Sequence, residues 1–226
     1  MENKFLKVTS LIGDPVKATI LWTLLDGKAF TATELSIAAD TSPQNISMHL
    51  NKLVQSELLC VESQGRHKYY KYAGKEIAYA VEALANLMPF ENPKPGSINE
   101  NISPVKYCRS CYDHLAGKIG VAVTDSLLKQ KIIINNNEIF EISRKGEKWF
   151  NDLEIIVDDL KYQRRSFLRP CLDWSERRYH IAGSLAASLF DKMLASGWLR
   201  KTKNSRAIII TGEGQKKMYE YFKLRI

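Results

Sequence analysis

The sequence predicts a mainly α fold with small β-hairpins, an α+β protein of more than one domain. Three observations predict it. Apolar residues recur at helical spacing through most of the first 88 positions, with capping residues ahead of several runs. Two β-rich runs, "LLCVES" and "KYYKYA", flank "QGRH", which is the pattern of a hairpin. A twenty-residue segment beginning at His114 recurs in degenerate form at His180.

Taken in order, residues 1–88 read as four helices, a hairpin and a helix. An amphipathic segment from Asn3 to Leu11 ends at Gly13. Asp14 can cap the next helix, with Pro15 at its first position, where a missing N–H costs nothing. Val16, Ile20, Leu21, Leu24 and Leu25 mark its apolar face, and Gly27 its end. Thr31 and Glu34 have capping-box spacing for a third helix with apolar positions Leu35, Ile37 and Ala38. A fourth helix starts near Ser42–Pro43 and buries Ile46, Leu50, Leu53 and Val54. The hairpin follows, then an Ala- and Leu-rich helix from Lys75 to Met88. Two short helices across a tight break, then a two-stranded wing, make a winged helix-turn-helix. A stretch with four prolines, 89–104, reads as a linker to a carboxyl-terminal domain over 105–226.

The fourth helix has an unusual outer face. Gln44, Met48, Asn51 and Lys52 oppose the apolar side, Asn45 and Ser47 flank them, His49 lies at the border, and no acidic residue occurs between Thr41 and Ser56. Gln and Asn can pair with adenine edges, Met can meet a thymine methyl, and Lys suits a phosphate. Ser42 opens the same helix. In the wing, Arg66, His67 and Lys68 lie at the tip with Tyr70 behind, a cationic loop suited to a phosphate backbone or a minor groove. The expected partner is double-stranded DNA. An adaptor using the same elements for protein contacts is the alternative.

The string "LIGDPVKATILWTLL", the helix "SPQNISMHL" and the wing "GRHKYYKY" together resemble the ArsR/SmtB family of winged-helix repressors over roughly the first 88 residues. The resemblance implies operator binding as a homodimer, with Phe5–Leu11 and Ile77–Leu87 as the dimer surface, by a repressor that in many members releases DNA when a metal binds. The pattern departs where the family holds metal. "TELSIAAD" contains no Cys or His, and "KEIAYAVEALANLM" offers only Glu76 and Glu82.

The second half reads as two winged-helix-like repeats, at about 105–160 and 171–226, each a helix, a hairpin and a helix. "HLAGKIGVAVTDSLLKQKII" and "HIAGSLAASLFDKMLASGWL" share His, Ala, Gly, Asp and Leu at equivalent places. The repeats carry Cys108, Cys111 and His114 in "CRSCYDH", and Cys171, Trp174 and His180 in "CLDWSERRYH". If the histidines are related by a local twofold axis, the thiols and imidazoles can converge. Three readings stay open: zinc or another thiophilic metal, or a redox pair; a small-molecule effector pocket that Trp174, Tyr112 and Trp198 could line; or a structural role. A thiol-disulfide enzyme centred on Cys108 and Cys111 is the alternative function, although this CxxC lacks a thioredoxin-like βαβ context.

Composition bounds the rest. The formal charge of +8 arises beyond residue 95, because residues 1–95 hold ten Lys/Arg and ten Asp/Glu. Arg164, Arg165, Arg169, Arg177 and Arg178 concentrate it, and two readings stay open: contact with phosphates flanking an operator, or a solvated face without a target. No apolar run is long enough to span a bilayer and no secretory pattern opens the chain, so a soluble, cytoplasmic, non-enzymatic regulator is expected.

Overall fold

The computed structural model describes residues 2–87, 103–137, 139–203 and 205–226. The chain divides into two compact units, 1–87 and 88–226. Most of the expected linker, up to residue 102, lies outside the described residues, as does Met88.

The first unit runs α1 (Glu2–Ile12), α2 (Pro15–Leu24), β1 (Phe30–Thr31), α3 (Ala32–Ala38), α4 (Pro43–Gln55), β2 (Leu59–Gln64), β3 (His67–Tyr72) and α5 (Lys75–Ala85). Local chemistry sets the helix starts. The Asp14 carboxylate accepts from Lys17 N–H at 3.0 Å, and Ser42 Oγ accepts from Asn45 N–H at 3.2 Å. Thr31 and Glu34 form a complete capping box, with Thr31 N–H donating to Glu34 Oε2 at 2.7 Å. Ile20, Leu21, Leu24, Leu25, Leu35, Ile46, Leu50 and Leu53 make the core.

Two expectations change here. Seven-residue α3 buries only Leu35 and Ser36; Ala38 is exposed, and so is Ile37 at 75%. The wing has a third strand, since β1 pairs antiparallel with β3 through Phe30–Tyr70 and Thr31–Tyr69. Two residues are too few to show a period, so only the pairing reveals the strand.

The second unit runs α6 (Pro104–Tyr107), β4 (Arg109–Cys111), β5 (His114–Ala116), α7 (Gly117–Lys129), β6 (Ile133–Asn136), β7 (Ile139–Ile142), α8 (Arg144–Asp152) and α9 (Val157–Lys161). It continues through β8 (Arg169–Leu172), β9 (Tyr179–Ala182), α10 (Ser184–Ala195), β10 (Leu199–Lys201), β11 (Ile208–Ile210) and α11 (Gly212–Phe222). The order hairpin, helix, hairpin, helix thus occurs twice, with a hairpin ahead of each expected helix. His114 and His180 accordingly lie on strands. The two series pack crosswise, α7 against β9 and α10 against β5, around one apolar core that includes Ile119, Leu127, Phe150, Leu185, Phe190 and Phe222.

Gly117 and Gly183 let α7 and α10 start close against the segments that precede their hairpins. Both have positive φ, +78° and +101°, and a Cβ at either would come within 2.6 Å of a backbone carbonyl oxygen, of Lys106 and Phe167 respectively. Among the described residues, no helix is long and apolar enough to cross a membrane.

Candidate nucleic-acid interface and buried cysteine-histidine cluster

Helix α4 turns Ile46, Leu50 and Leu53 fully into the core, so its opposite face must lie in solvent. Ser42, Gln44, Ser47, Asn51 and Lys52 are exposed there, and Met48 is 59% exposed. Asn45 is half-buried and donates from Nδ2 to Thr41 Oγ1 at 2.7 Å. Ser47 Oγ donates to Pro43 O at 2.8 Å, which leaves its lone pairs for an incoming donor.

His49, expected at the border of this face and among the DNA contacts, turns away from it. Its side chain is 15% exposed, and Nδ1 sits 3.4 Å from Asp14 Oδ1. Asp14 is a small hub, because its Oδ2 also pairs with the buried Lys17 ammonium at 2.9 Å. Burial opposes ionisation of Asp14, but the Lys17 N–H and ammonium outweigh it and hold the carboxyl below its usual value. The first turn of α2 thereby lies against the middle of α4.

In the wing, Gly65 takes a φ of +60° at the turn, and Arg66, His67 and Lys68 are exposed. Tyr70 is half-buried on the central strand, opposite Phe30 and Val61. The wing lysines differ from each other: Lys71 is paired with Glu62 at 2.7 Å, whereas Arg66, Lys68 and, on α4, Lys52 have no acidic partner among the described residues. Three cations thus face solvent uncompensated beside an acid-free helix face.

The second unit brings four of the six expected cysteine, histidine and tryptophan residues together. Cys111 stands opposite His114 across β4–β5, and Cys171 opposite His180 across β8–β9. The four ligand-type atoms lie within 4.8 Å of one another, and the two Nε2 atoms are 3.1 Å apart. Cys111, His114 and His180 are buried and Cys171 is partly so. Hydrogen bonding to Cys111 and to the two imidazoles pulls the Cys171 thiol well below the usual range despite its burial.

Cys108 does not join them. It lies among apolar core residues, and burial pushes its thiol up to about 12. The backbone is extended from Cys108 through Cys111, so residues three apart face opposite sides, and a CxxC in this conformation makes no redox pair. Trp174 also stands apart, buried with the Arg109 guanidinium 5.0 Å from its ring centre. Trp198 stacks on Tyr221 in the core, and Tyr112 is exposed at the β4–β5 turn. The gap lined by Leu115, Gly120, Val123, Ile181, Leu189 and Met193 has about 10 Å³ of free volume, the room of about one water. An organic effector does not fit in that gap.

Sequence reasoning missed the groups that hold the cluster. His114 Nδ1 is 3.3 Å from Asp113 Oδ1, and His180 Nδ1 is 3.2 Å from Asp173 Oδ2, the latter off the ring N–H direction. Asp173 is fully buried, yet Arg109 Nη2 lies 3.0 Å away, Gly117 N–H donates at 2.7 Å and Ser175 Oγ at 2.7 Å. Burial alone would raise its pKa, but its contact with His180 and the Arg109 charge prevail and lower it well below the carboxylate range. A signal was present in the sequence, as Cys-x-Asp occurs in both "CYDH" and "CLDW". Of the arginines that could meet phosphates, Arg165 pairs with Asp113 at 2.5 Å and Arg178 with Asp125 at 2.7 Å, which neutralises them locally.

Comparison with known proteins places the chain. The profile of a family described as "Helix-turn-helix domain" matches residues 12–62. The chain is 37% identical over 226 residues, all of both proteins, to the uncharacterized HTH-type transcriptional regulator YdfF of Bacillus subtilis (strain 168). Among solved structures, HlyU from Vibrio cholerae N16961 is 23% identical, covering 38% of this chain and 92% of its own, with a TM-score of 0.36. The cadmium metal-sensor CMTR from Mycobacterium tuberculosis is 23% identical, covering 42% and 99%, with a TM-score of 0.33. Those scores carry no argument about ligands; the full-length relative does show the family. The chain belongs to the HTH-type transcriptional regulators.

Proposed function

We propose that this regulator is a repressor that binds operator DNA as a homodimer and responds to an effector through its carboxyl-terminal unit. One observation carries the DNA reading: the exposed, acid-free face of Gln44, Met48, Asn51 and Lys52 on α4, beside the unpaired Arg66 and Lys68 of the wing. Ser42, Asn45, Ser47, His67 and Tyr70 complete the interface, in which α4 enters a major groove and the wing follows the adjoining backbone. Exposed apolar side chains on both terminal helices of the first unit, Phe5 and Leu6 on α1 and Leu84 on α5, with Leu87 just beyond it, support pairing with a second copy.

The carboxyl-terminal unit reads as two copies of one winged-helix-like element. Beyond the doubled order of elements, matching details support this. Ser143 and Thr211 cap α8 and α11 by accepting from Gly146 and Gly214 N–H, both at 2.9 Å. A Cβ on either glycine would come within 2.0 Å of a carbonyl oxygen, of Ile132 and Trp198 respectively. Such a paired unit, with its own core, is suited to receive a signal separately from the DNA-reading domain.

The test is selection of duplexes from a random pool by the full chain, followed by affinity measurements. Gln44→Ala and Asn51→Ala are each expected to cost about 1–3 kcal/mol on the selected duplex and little on random DNA. Equal loss on both, or no selected sequence, would reject base reading by α4. Salt-insensitive binding would favour a protein-contact adaptor.

A further inference from the structure

We propose that Cys111, His114, Cys171 and His180 form a tetrahedral site for a thiophilic divalent metal of the zinc class, fastening hairpin β4–β5 to hairpin β8–β9. This goes beyond the regulatory reading and would stand even if the chain bound no DNA. It lies in the second unit, away from the first-unit positions that the resemblance would have suggested.

The backbone register builds the donor set. Each hairpin places one thiol directly opposite one imidazole, and directly opposed residues share a face. The crosswise packing of α7 on β9 and α10 on β5 then presents the two pairs to each other. Tetrahedral zinc, with bonds of about 2.0–2.1 Å to nitrogen and 2.3 Å to sulfur, requires nitrogens about 3.3 Å apart and sulfurs about 3.8 Å apart. The observed 3.1 Å between the Nε2 atoms, and 4.8 Å as the upper bound for all pairs, need only small adjustments.

The imidazole contacts suit a cation at the centre. Both Nδ1 atoms face carboxylates, of Asp113 and Asp173. In the tautomer that carries protons on those nitrogens, both Nε2 lone pairs point at each other, with two sulfurs beside them. Without a metal the four groups hydrogen-bond among themselves, and with their protons lost all four can turn lone pairs on a metal set between them. Carboxylates behind the imidazoles are the usual support of metal-bound histidine. Arg109, Ser175 and the Gly117 N–H hold Asp173 in turn. Two sulfurs and two nitrogens in tetrahedral reach favour zinc over magnesium or calcium, which take oxygen ligands. Four protein ligands in a largely buried setting leave no open coordination position, so the metal is a staple between the two halves, and its binding energy adds to the folding of the unit.

The test uses the full chain, stripped of metal under reducing conditions. Cobalt(II) is expected to saturate at a single equivalent, with the visible bands of tetrahedral cobalt and a thiolate-to-metal charge-transfer band in the near ultraviolet. One equivalent of zinc(II) should abolish both. Cys171→Ser should lower the charge-transfer intensity by about half, having one thiolate fewer, and Cys108→Ala should leave the spectrum intact. Zinc(II) should also protect Cys111 and Cys171, but no other cysteine, from alkylation in the unmodified chain, a readout independent of how any variant folds. Absence of the charge-transfer band in the unmodified chain, its persistence in Cys111→Ser/Cys171→Ser, or unchanged alkylation of both thiols with zinc would each overturn the site.

Discussion

Removing Arg66 and Lys68 together is the sharpest perturbation of the DNA interface. Both are exposed at the wing tip without an acidic partner among the described residues, so each is free to displace a counterion from a phosphate. Each such contact contributes about 0.9 to the slope of log K against log salt. Arg66→Ala/Lys68→Ala should therefore flatten the slope by about 1.8 if one copy engages DNA, and by about 3.6 for a homodimer with both wings engaged. Lys71→Ala is the matched control. Its ammonium is already held by Glu62 at 2.7 Å, so its removal should change the slope by less than Lys68→Ala alone. The assay is fluorescence anisotropy of a selected duplex from low to moderate salt. An unchanged slope in the double variant, or an equal effect of Lys71→Ala, would refute the reasoning about which cations are available.

Three further outcomes follow from the geometry. Thr31→Ala removes half of the capping box of α3 and should cost about 1 kcal/mol of stability by urea unfolding. Hydrogen bonds from Thr31 hold the Glu34 carboxyl below its ordinary 4.5, so that contribution is full above pH 4.5 and fades as pH falls through the folded value. The gap between wild type and variant should close in acid, and a constant gap would count against the capping role. Arg109→Met leaves Asp173 buried without its guanidinium and should destabilise the second unit by about 3–5 kcal/mol; a loss below about 1 kcal/mol would show that the surrounding N–H donors suffice. Cys108, with its thiol pushed up to about 12 and no exposed surface, should resist alkylation in the native chain at about pH 8 and react only on unfolding. Labelling at the denatured rate, read by peptide mass mapping, would contradict its placement.

Helix starts and faces in the first unit were legible because their causes are local. Asp14, Thr31 and Ser42 cap within three residues of themselves, and Ile46, Leu50 and Leu53 share a face by helical period alone. The outward set on α4 follows from that inward set, with His49 as the exception, since a border residue goes to whichever neighbour holds a charge, here Asp14. The wing was legible from its β-rich runs and Gly65. Strands β4, β5, β8 and β9 were not. They are three or four residues long, too short for a period, and the β4–β5 turn is Tyr112–Asp113, without the Asn-Gly or Gly-Gly that marks tight hairpins.

The sequence by itself determined that the first 88 residues build a helix with a polar, acid-free outer face and a cationic wing, because near-neighbour contacts decide both. It also offered, through His114 and His180, the reading that the second half holds related segments. Only the tertiary structure decided that Cys111, His114, Cys171 and His180 meet while Cys108 turns away. Spacing along a chain does not say which face of a strand a thiol takes. That depends on strand register and on the crosswise packing of α7 and α10, which join residues some sixty positions apart.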